Sequence, residues 1–183
     1  NESNFSLRCL VGDENFYSGV SDTEHEATQL ILSLAKDSAF HAPSVREIEL
    51  ADAVIVVGED VTNVAPRIAL ALRQSVRNKA KELAEDCNIP QWQDAAVREL
   101  AQHDRSPLAI LSSYATRLDD IASEIVIDSP TEIANIAAAV ANRISGNAPA
   151  ASSDDASVAQ IAVQLSEAKR PLVIAGSTSG SIS

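Results

Sequence analysis

The sequence predicts an α/β fold, a mostly parallel sheet with helices on both faces, and three observations carry that prediction. Four short apolar runs rich in β-branched residues punctuate the chain: Ala53-Val-Ile-Val-Val57, Leu108-Ala-Ile-Leu111, Glu124-Ile-Val-Ile127 and Leu172-Val-Ile-Ala175. Each run is apolar on both alternations, the pattern of a strand covered on both faces. Stretches of helical periodicity lie between the runs, and strands alternating with helices pair in parallel through right-handed crossovers. All four runs are expected as central strands.

The elements follow in order. Ser21-Asp-Thr-Glu24 has capping-box spacing, and Ala27, Leu30, Ile31 and Leu34 behind it recur at i, i+3, i+4, i+7, so a helix with one buried face is expected. After the first strand, Val64, Ile68, Leu72, Val76 and Ala80 fall at every fourth position. They predict one helix starting near Thr62 or Asn63, with Pro66 tolerated in its first turn. Glu59 and Asp60 precede its positive end, and Arg73, Arg77, Lys79 and Lys81 lie towards its negative end, complementing the helix dipole. A further helix carrying Trp92, Ala96 and Leu100 should end near His103, before Pro107. A short helical turn separates the second and third strands. Ser129-Pro-Thr-Glu132 repeats the capping device with Pro130 at the first helical position, ahead of a stripe of Ile133, Ile136, Val140 and Ile144.

Residues 1–145 thus read as one α/β domain. Residues 146–153, poor in apolar bulk and rich in chain breakers, read as a linker. Residues 154–183 carry Val158, Ile161, Ala162 and Leu165 on a helix and then the strand Leu172 to Ala175. They read as the start of a further unit, with the sheet's last βα pair as the alternative. The chain has no methionine and stops just past this strand, so a cut-out piece of a longer polypeptide is expected.

Composition narrows the function. The 183 residues are 45% hydrophobic, enough for a core without disulfides or a structural metal. A net charge of −12, spread along the chain, argues against nucleic acid and anionic membrane surfaces, which reward clustered Lys and Arg. The longest apolar stretches, such as Ile136 to Ala141, are a handful of residues against the roughly 20 of a spanning helix, so no direct membrane insertion is expected. Cys9 and Cys87 have no partner at metal-ligand or cluster spacing, and His25, His41 and His103 are isolated. No metal site is expected.

Catalytic signals are weak. There is no Gly-x-Ser-x-Gly elbow. Glu59-Asp60, Asp119-Asp120 and Asp154-Asp155 could serve acid/base chemistry, but helix-end electrostatics or plain solvation explains such pairs more often. Two turns after strands could cradle a phosphate. Gly58 to Asn63 lacks the dinucleotide and P-loop fingerprints and sets two carboxylates where the phosphate would sit, whereas Gly176-Ser-Thr-Ser-Gly180 has the right small and hydroxyl residues in a weak pattern. No catalytic residue is assigned.

A resemblance sharpens this reading. Arg46-Glu-Ile-Glu-Leu-Ala-Asp-Ala-Val-Ile-Val-Val-Gly-Glu-Asp-Val-Thr62, Ala69-Leu-Ala-Leu-Arg-Gln74, Thr116-Arg-Leu-Asp-Asp-Ile-Ala122 and Lys169-Arg-Pro-Leu-Val-Ile-Ala-Gly176, with Asn15-Phe-Tyr-Ser-Gly19, closely resemble one family. It is that of the large iron-sulfur, peripheral-arm subunit of bacterial NADH-quinone oxidoreductase, respiratory complex I. The likeness implies a Rossmann-like fold, as in the molybdopterin oxidoreductase superfamily to which that subunit's C-terminal half belongs. Cofactor-binding members of the superfamily carry a Gly-x-Asn-Pro-type turn after one strand and an Ile-Asp-Pro-Arg-x-Thr-type turn after the next. Here the first reads Gly58-Glu59-Asp60-Val61, with Asp60 at the Asn position. The second runs from Leu111 to Thr116, with Ser112 in place of the acid and Tyr114 in place of the arginine. Losing the arginine removes a bidentate phosphate partner, and the two carboxylates add repulsion. The resemblance therefore implies a vestigial pterin site at Gly58, Glu59, Asp60, Ser112, Tyr114 and Thr116, with no cofactor in this stretch.

It further implies iron-sulfur clusters elsewhere in the parent subunit, and other subunits of the peripheral arm as partners. The parent would lie peripherally on the cytoplasmic side of the bacterial inner membrane. The leading expectation is a cofactor-free structural domain without catalytic activity of its own, from a subunit that takes part in electron transfer from NADH to quinone. The alternative is a nucleotide- or pterin-binding module using the Gly58 and Gly176 turns. A hydrolase built on paired carboxylates has no motif behind it.

Overall fold

Alternate residues of the two most apolar runs face opposite ways, and each set finds its own layer of helices. In a computed structural model describing residues 2–17, 19–147 and 156–176, four strands form one all-parallel sheet: β1 (Ala53–Val57), β2 (Leu108–Ser112), β3 (Glu124–Ile127) and β4 (Pro171–Ala175), in the order β3-β2-β1-β4. On one face Val54, Val56, Leu108 and Ile110 pack with Ile48, Leu72, Val76 and Leu118. On the other, Ala53, Ile55, Ala109 and Leu111 pack with Ile133, Val140, Val158 and Ile161. Complete burial of a side chain such as Leu72 or Leu111 contributes roughly 1.5–3 kcal/mol relative to leaving it exposed.

Only β1 and β2 are the central strands expected of all four runs. In β3 and β4 burial alternates, leaving Ile125, Ile127 and Val173 exposed, because a four-stranded open sheet must end on two edges.

The helices on the first face are α3 (Val45–Glu49), α4 (Val61–Val64) and α5 (Pro66–Ser75), followed by the mutually packed α6 (Asn78–Asp86) and α7 (Asp94–Ala101). The single helix expected from Thr62 to Ala80 is thus three. Proline disfavours helical geometry in the residue before it, and Ala65 takes φ −140°, ψ 71°, so α4 stops there and Pro66 opens α5. The next break falls at Val76–Arg77. Ser106 there donates its N–H to the Val76 carbonyl (2.9 Å), and its hydroxyl accepts from the Lys79 N–H (3.0 Å). In α7 the buried residues are Val97 and Ala101, not the expected stripe; Trp92 precedes the helix and is exposed, and Leu100 faces out.

The opposite face is covered by α8 (Pro130–Ile144) and α9 (Ala156–Glu167). The capping signal of α8 holds: Ser129 Oγ accepts from the Glu132 N–H at 3.3 Å. Ile133 and Val140 are buried, while Ile144 lies beyond the covered stretch and is exposed. Residues expected to open a further unit instead add α9 and β4 to this sheet, β4 pairing with β1 from Ala53↔Pro171 to Val57↔Ala175. Asp52 locks the junction, its carboxylate accepting from the backbone N–H groups of Lys169 (2.9 Å) and Arg170 (2.8 Å). Residues 148–153 of the expected linker lie outside the described residues.

The chain up to Phe40 clusters as a separate unit from the rest. It holds α1 (Glu2–Val11), where Arg8 pairs bidentately with Asp13 (2.7 and 2.8 Å), and α2 (Asp22–Lys36), capped by Ser21 as expected. The apolar stripe of α2 is present, but Leu30, Ile31 and Leu34 are exposed and no residue of the helix is buried. Periodicity reports which face is apolar and not what covers it.

Candidate functional site

Strands β2 and β3 follow β1 to one side, whereas β4 returns to its other side, so the chain reverses direction across the sheet between β1 and β4. In open parallel sheets the crevice outside the carboxyl ends of the strands at such a reversal is where ligands bind. The turn after β1, the end of β2 and the residue after β4 all lie at that edge.

Gly58 has φ 66°, a left-handed conformation that favours glycine, and its N–H donates to the Leu111 carbonyl at 2.8 Å. The bond ties the turn to the neighbouring strand. Glu59 and Asp60 then turn inward and are buried, 8% and 6% exposed. Asp60 caps α4: Oδ1 accepts from the Thr62 N–H (3.0 Å) and Oδ2 from Asn63 Nδ2 (2.6 Å). The helix starts at Val61, just ahead of the start expected near Thr62 or Asn63. Thr62 Oγ1 is buried without a hydrogen-bond partner among the described residues.

Glu59 reaches across to the end of β4. A Cβ added to Gly176 would stand 1.6 Å from Glu59 Oε2 and 2.4 Å from its Cδ, so the acidic side chain lies directly against the glycine backbone. The first of the two turns that the sequence offers as phosphate cradles therefore meets the opening glycine of the second, with the Glu59 carboxylate against it. Ser177 to Gly180 of the second turn fall outside the described residues.

The β2 side is quieter. Ser112 is buried as the last residue of its strand, and its Oγ accepts from the Tyr114 N–H at 3.4 Å. Tyr114 is exposed. Thr116 is engaged in its own turn, Oγ1 donating to Asp119 Oδ1 (2.6 Å) and N–H to Oδ2 (3.0 Å). Asp120 pairs bidentately with Arg73 at 2.9 and 3.0 Å, which lowers its pKa from the ordinary value, the hydrogen bond to Arg73 being the largest cause. Asp119-Asp120 thus serves the turn, while Asp154-Asp155 lies outside the described residues.

Of the remaining candidates, His25 and His103 are exposed, and His41 Nε2 meets Glu47 Oε1 at 3.0 Å on the surface. Cys9 and Cys87 are free and exposed. No group of three or more His, Cys, Asp or Glu able to hold a metal occurs among the described residues, and none of their helices is long and apolar enough to cross a membrane. Glu59 against Gly176 is the contact that local sequence reading misses, since no spacing rule links residues so far apart.

Curated relatives match almost the whole chain. It is 46% identical over 98% of its length to the G subunit of NADH-quinone oxidoreductase from Pseudomonas fluorescens, 44% over 99% to that of Shewanella oneidensis and 40% over 99% to that of Escherichia coli K12. The chain is related to the G subunits of NADH-quinone oxidoreductase. It spans about a fifth of the length of these relatives, 20% in each. No family model matches. The α/β fold and the resemblance drawn from the sequence agree with this kinship, and the sheet edge at Gly58 and Gly176 lies within the fifth that is shared.

Proposed function

We propose that this stretch is a cofactor-free structural domain of an NADH-quinone oxidoreductase subunit, catalytically inactive by itself. The observation that carries the proposal is the Glu59 side chain seated against Gly176 in the crevice between β1 and β4. A pterin cofactor carries phosphate, and phosphate needs N–H donors, hydroxyls or cations. The crevice offers instead a buried carboxylate, a second carboxylate spent on capping α4, and a tyrosine in place of the bidentate arginine. These residues do not fit an anionic cofactor, and the positions Gly58, Glu59, Asp60, Ser112, Tyr114 and Thr116 are the remains of such a site.

The parent subunit, in this reading, carries iron-sulfur clusters outside these residues and passes electrons from NADH towards quinone. It contacts other subunits of the peripheral arm on the cytoplasmic side of the membrane, and this stretch supplies packed support. Metal analysis and an ultraviolet-visible spectrum of the purified chain test the proposal. A colourless protein free of iron and molybdenum is expected; stoichiometric metal or a bound chromophore would refute it.

A further inference from the structure

The opposite, amino-terminal edge of the sheet carries a second feature, which the scaffold role does not use. A cavity of about 460 Å³ opens between α5, α6, α7 and the segments entering β2 and β3. That volume is in the range of small-molecule sites. Val76, Val97, Ala101 and Ile121 give it apolar walls, while Arg73, Arg77, Lys81, Arg98 and Arg105 line it with positive charge. Five of the chain's 14 Lys and Arg residues thus converge on one cavity of a protein with net charge −12.

Some of this charge is neutralised within the protein. Arg73 is paired with Asp120, Arg77 with Asp94 (2.7 Å), and Arg98 also with Asp94. Asp94 and Asp120 lie just behind the lining, and Asp104 adds a third carboxylate, the one that lines the cavity itself. Lys81 and Arg105 hydrogen-bond to none of these carboxylates, although the Arg105 charge helps to lower the Asp120 pKa. Lys81 Nζ donates to Asn78 Oδ1 (3.2 Å) and Arg105 Nη1 to the Asp120 backbone carbonyl (3.2 Å), and neither makes an ion pair among the described residues. Five cations against three carboxylates leave a surplus, carried by one ammonium and one guanidinium on separate segments of the chain. A phosphate monoester, with close to two negative charges at neutral pH and three acceptor oxygens, matches that surplus better than a single carboxylate does. The apolar walls call for a body on the ester with a flat, weakly hydrated face to lay against them, as a purine base has.

We propose that this cavity binds a small phosphate monoester, its head held by Lys81 and Arg105 and its body against Val97, Ala101 and Ile121. The test is an amide NMR titration of the 183-residue chain with AMP, adenosine, inorganic phosphate and a hexaglutamate peptide. AMP is expected to shift the amides of Ala80, Val97, Ala101 and Arg105, with adenosine and inorganic phosphate each weaker by roughly tenfold or more, as losing a charged or apolar half of the contact should make them. The double variant Lys81→Gln, Arg105→Gln should lose that binding. Arg105→Lys, which keeps the charge, should retain it, and Glu59→Gln at the far edge should leave it unchanged. Any of these results would overturn the proposal: no AMP binding, shifts centred on Gly58 to Asp60 and Gly176, binding that survives the double variant in its folded form, or hexaglutamate binding more tightly than AMP. If inorganic phosphate binds as tightly as AMP, the site is one for an adventitious ion only and the proposal fails. This titration is independent of the metal analysis that tests the scaffold role, since either can fail alone.

Discussion

At Gly176 the space that a methyl group would occupy is already filled by the carboxylate of Glu59. The reason for glycine here is steric and not conformational, since Gly176 is not among the described residues with positive φ. Alanine would expel the Glu59 side chain from its buried seat or push the end of β4 away, an overpacking cost of about 1–3 kcal/mol. In urea unfolding, Gly176→Ala should lower stability by roughly that amount in the native background, and by much less once Glu59→Ala has removed the obstacle. Equal losses in both backgrounds would mean that the contact is unimportant. The resemblance to the superfamily's two cofactor turns groups Gly58, Glu59, Asp60 and Ser112 into one site. It cannot bring in Gly176 as Glu59's neighbour, because that contact depends on which strand lies on the far side of β1.

Single elements were legible where their signals are local. Ser21 and Ser129 cap their helices, each accepting from an N–H three residues on. The same spacing in Ser44-Val-Arg-Glu47 marks α3, a helix that the reading of the sequence passes over although its signature is complete. Ser44 and Glu47 bond reciprocally: Glu47 Oε2 accepts from the Ser44 N–H and hydroxyl, both at 2.7 Å. These bonds, with a smaller share from His41, lower the Glu47 pKa from 4.5 to about 2. A depressed carboxylate contributes its stability above its unfolded value and loses it as pH falls through the folded one. The stability difference between the native chain and Glu47→Gln should therefore be constant above about pH 5, shrink as the medium is acidified below 4.5 and vanish towards pH 2. Denaturant unfolding at stepped pH measures it, and a difference that stays constant down to about pH 3 would contradict the assignment. Elements were misread where two signals compete. Around α7, Trp92, Ala96 and Leu100 form one apolar ladder and Val97 and Ala101 another, and tertiary packing selects the second. At Pro66 the proline itself suits a first helical turn, but its effect on Ala65 ends the preceding helix.

For the molecule as a whole, the sheet's fold class was legible and its strand order was not. Alternation of apolar runs with helices dictates parallel pairing, yet nothing in the β-branched pattern says which two strands end the sheet. The edges have consequences in solution. Val173 on β4 is 65% exposed and Ile125 and Ile127 on β3 are about half exposed, on strands whose outer backbone has no sheet partner among the described residues. Such edges favour pairing with a second copy, and a lysine on the edge opposes it. Light scattering should therefore show an apparent mass that rises with concentration for the native chain, and rises less for Val173→Lys. A strict monomer at high concentration in both would remove the edge from consideration.

The pairing of β1 with β4 also sets a clock. Asp52 and Arg170, which join at the start of that ladder, are 118 residues apart, so nearly the whole sheet unit is synthesised between them. At about 5–20 residues per second, the ribosome needs on the order of ten seconds to deliver β4 after β1 has emerged. Throughout that interval β1, one of the two most completely buried strands of the finished protein, has one side unpaired. The nascent chain is exposed to mispairing for this period, during which a chaperone would have most to protect.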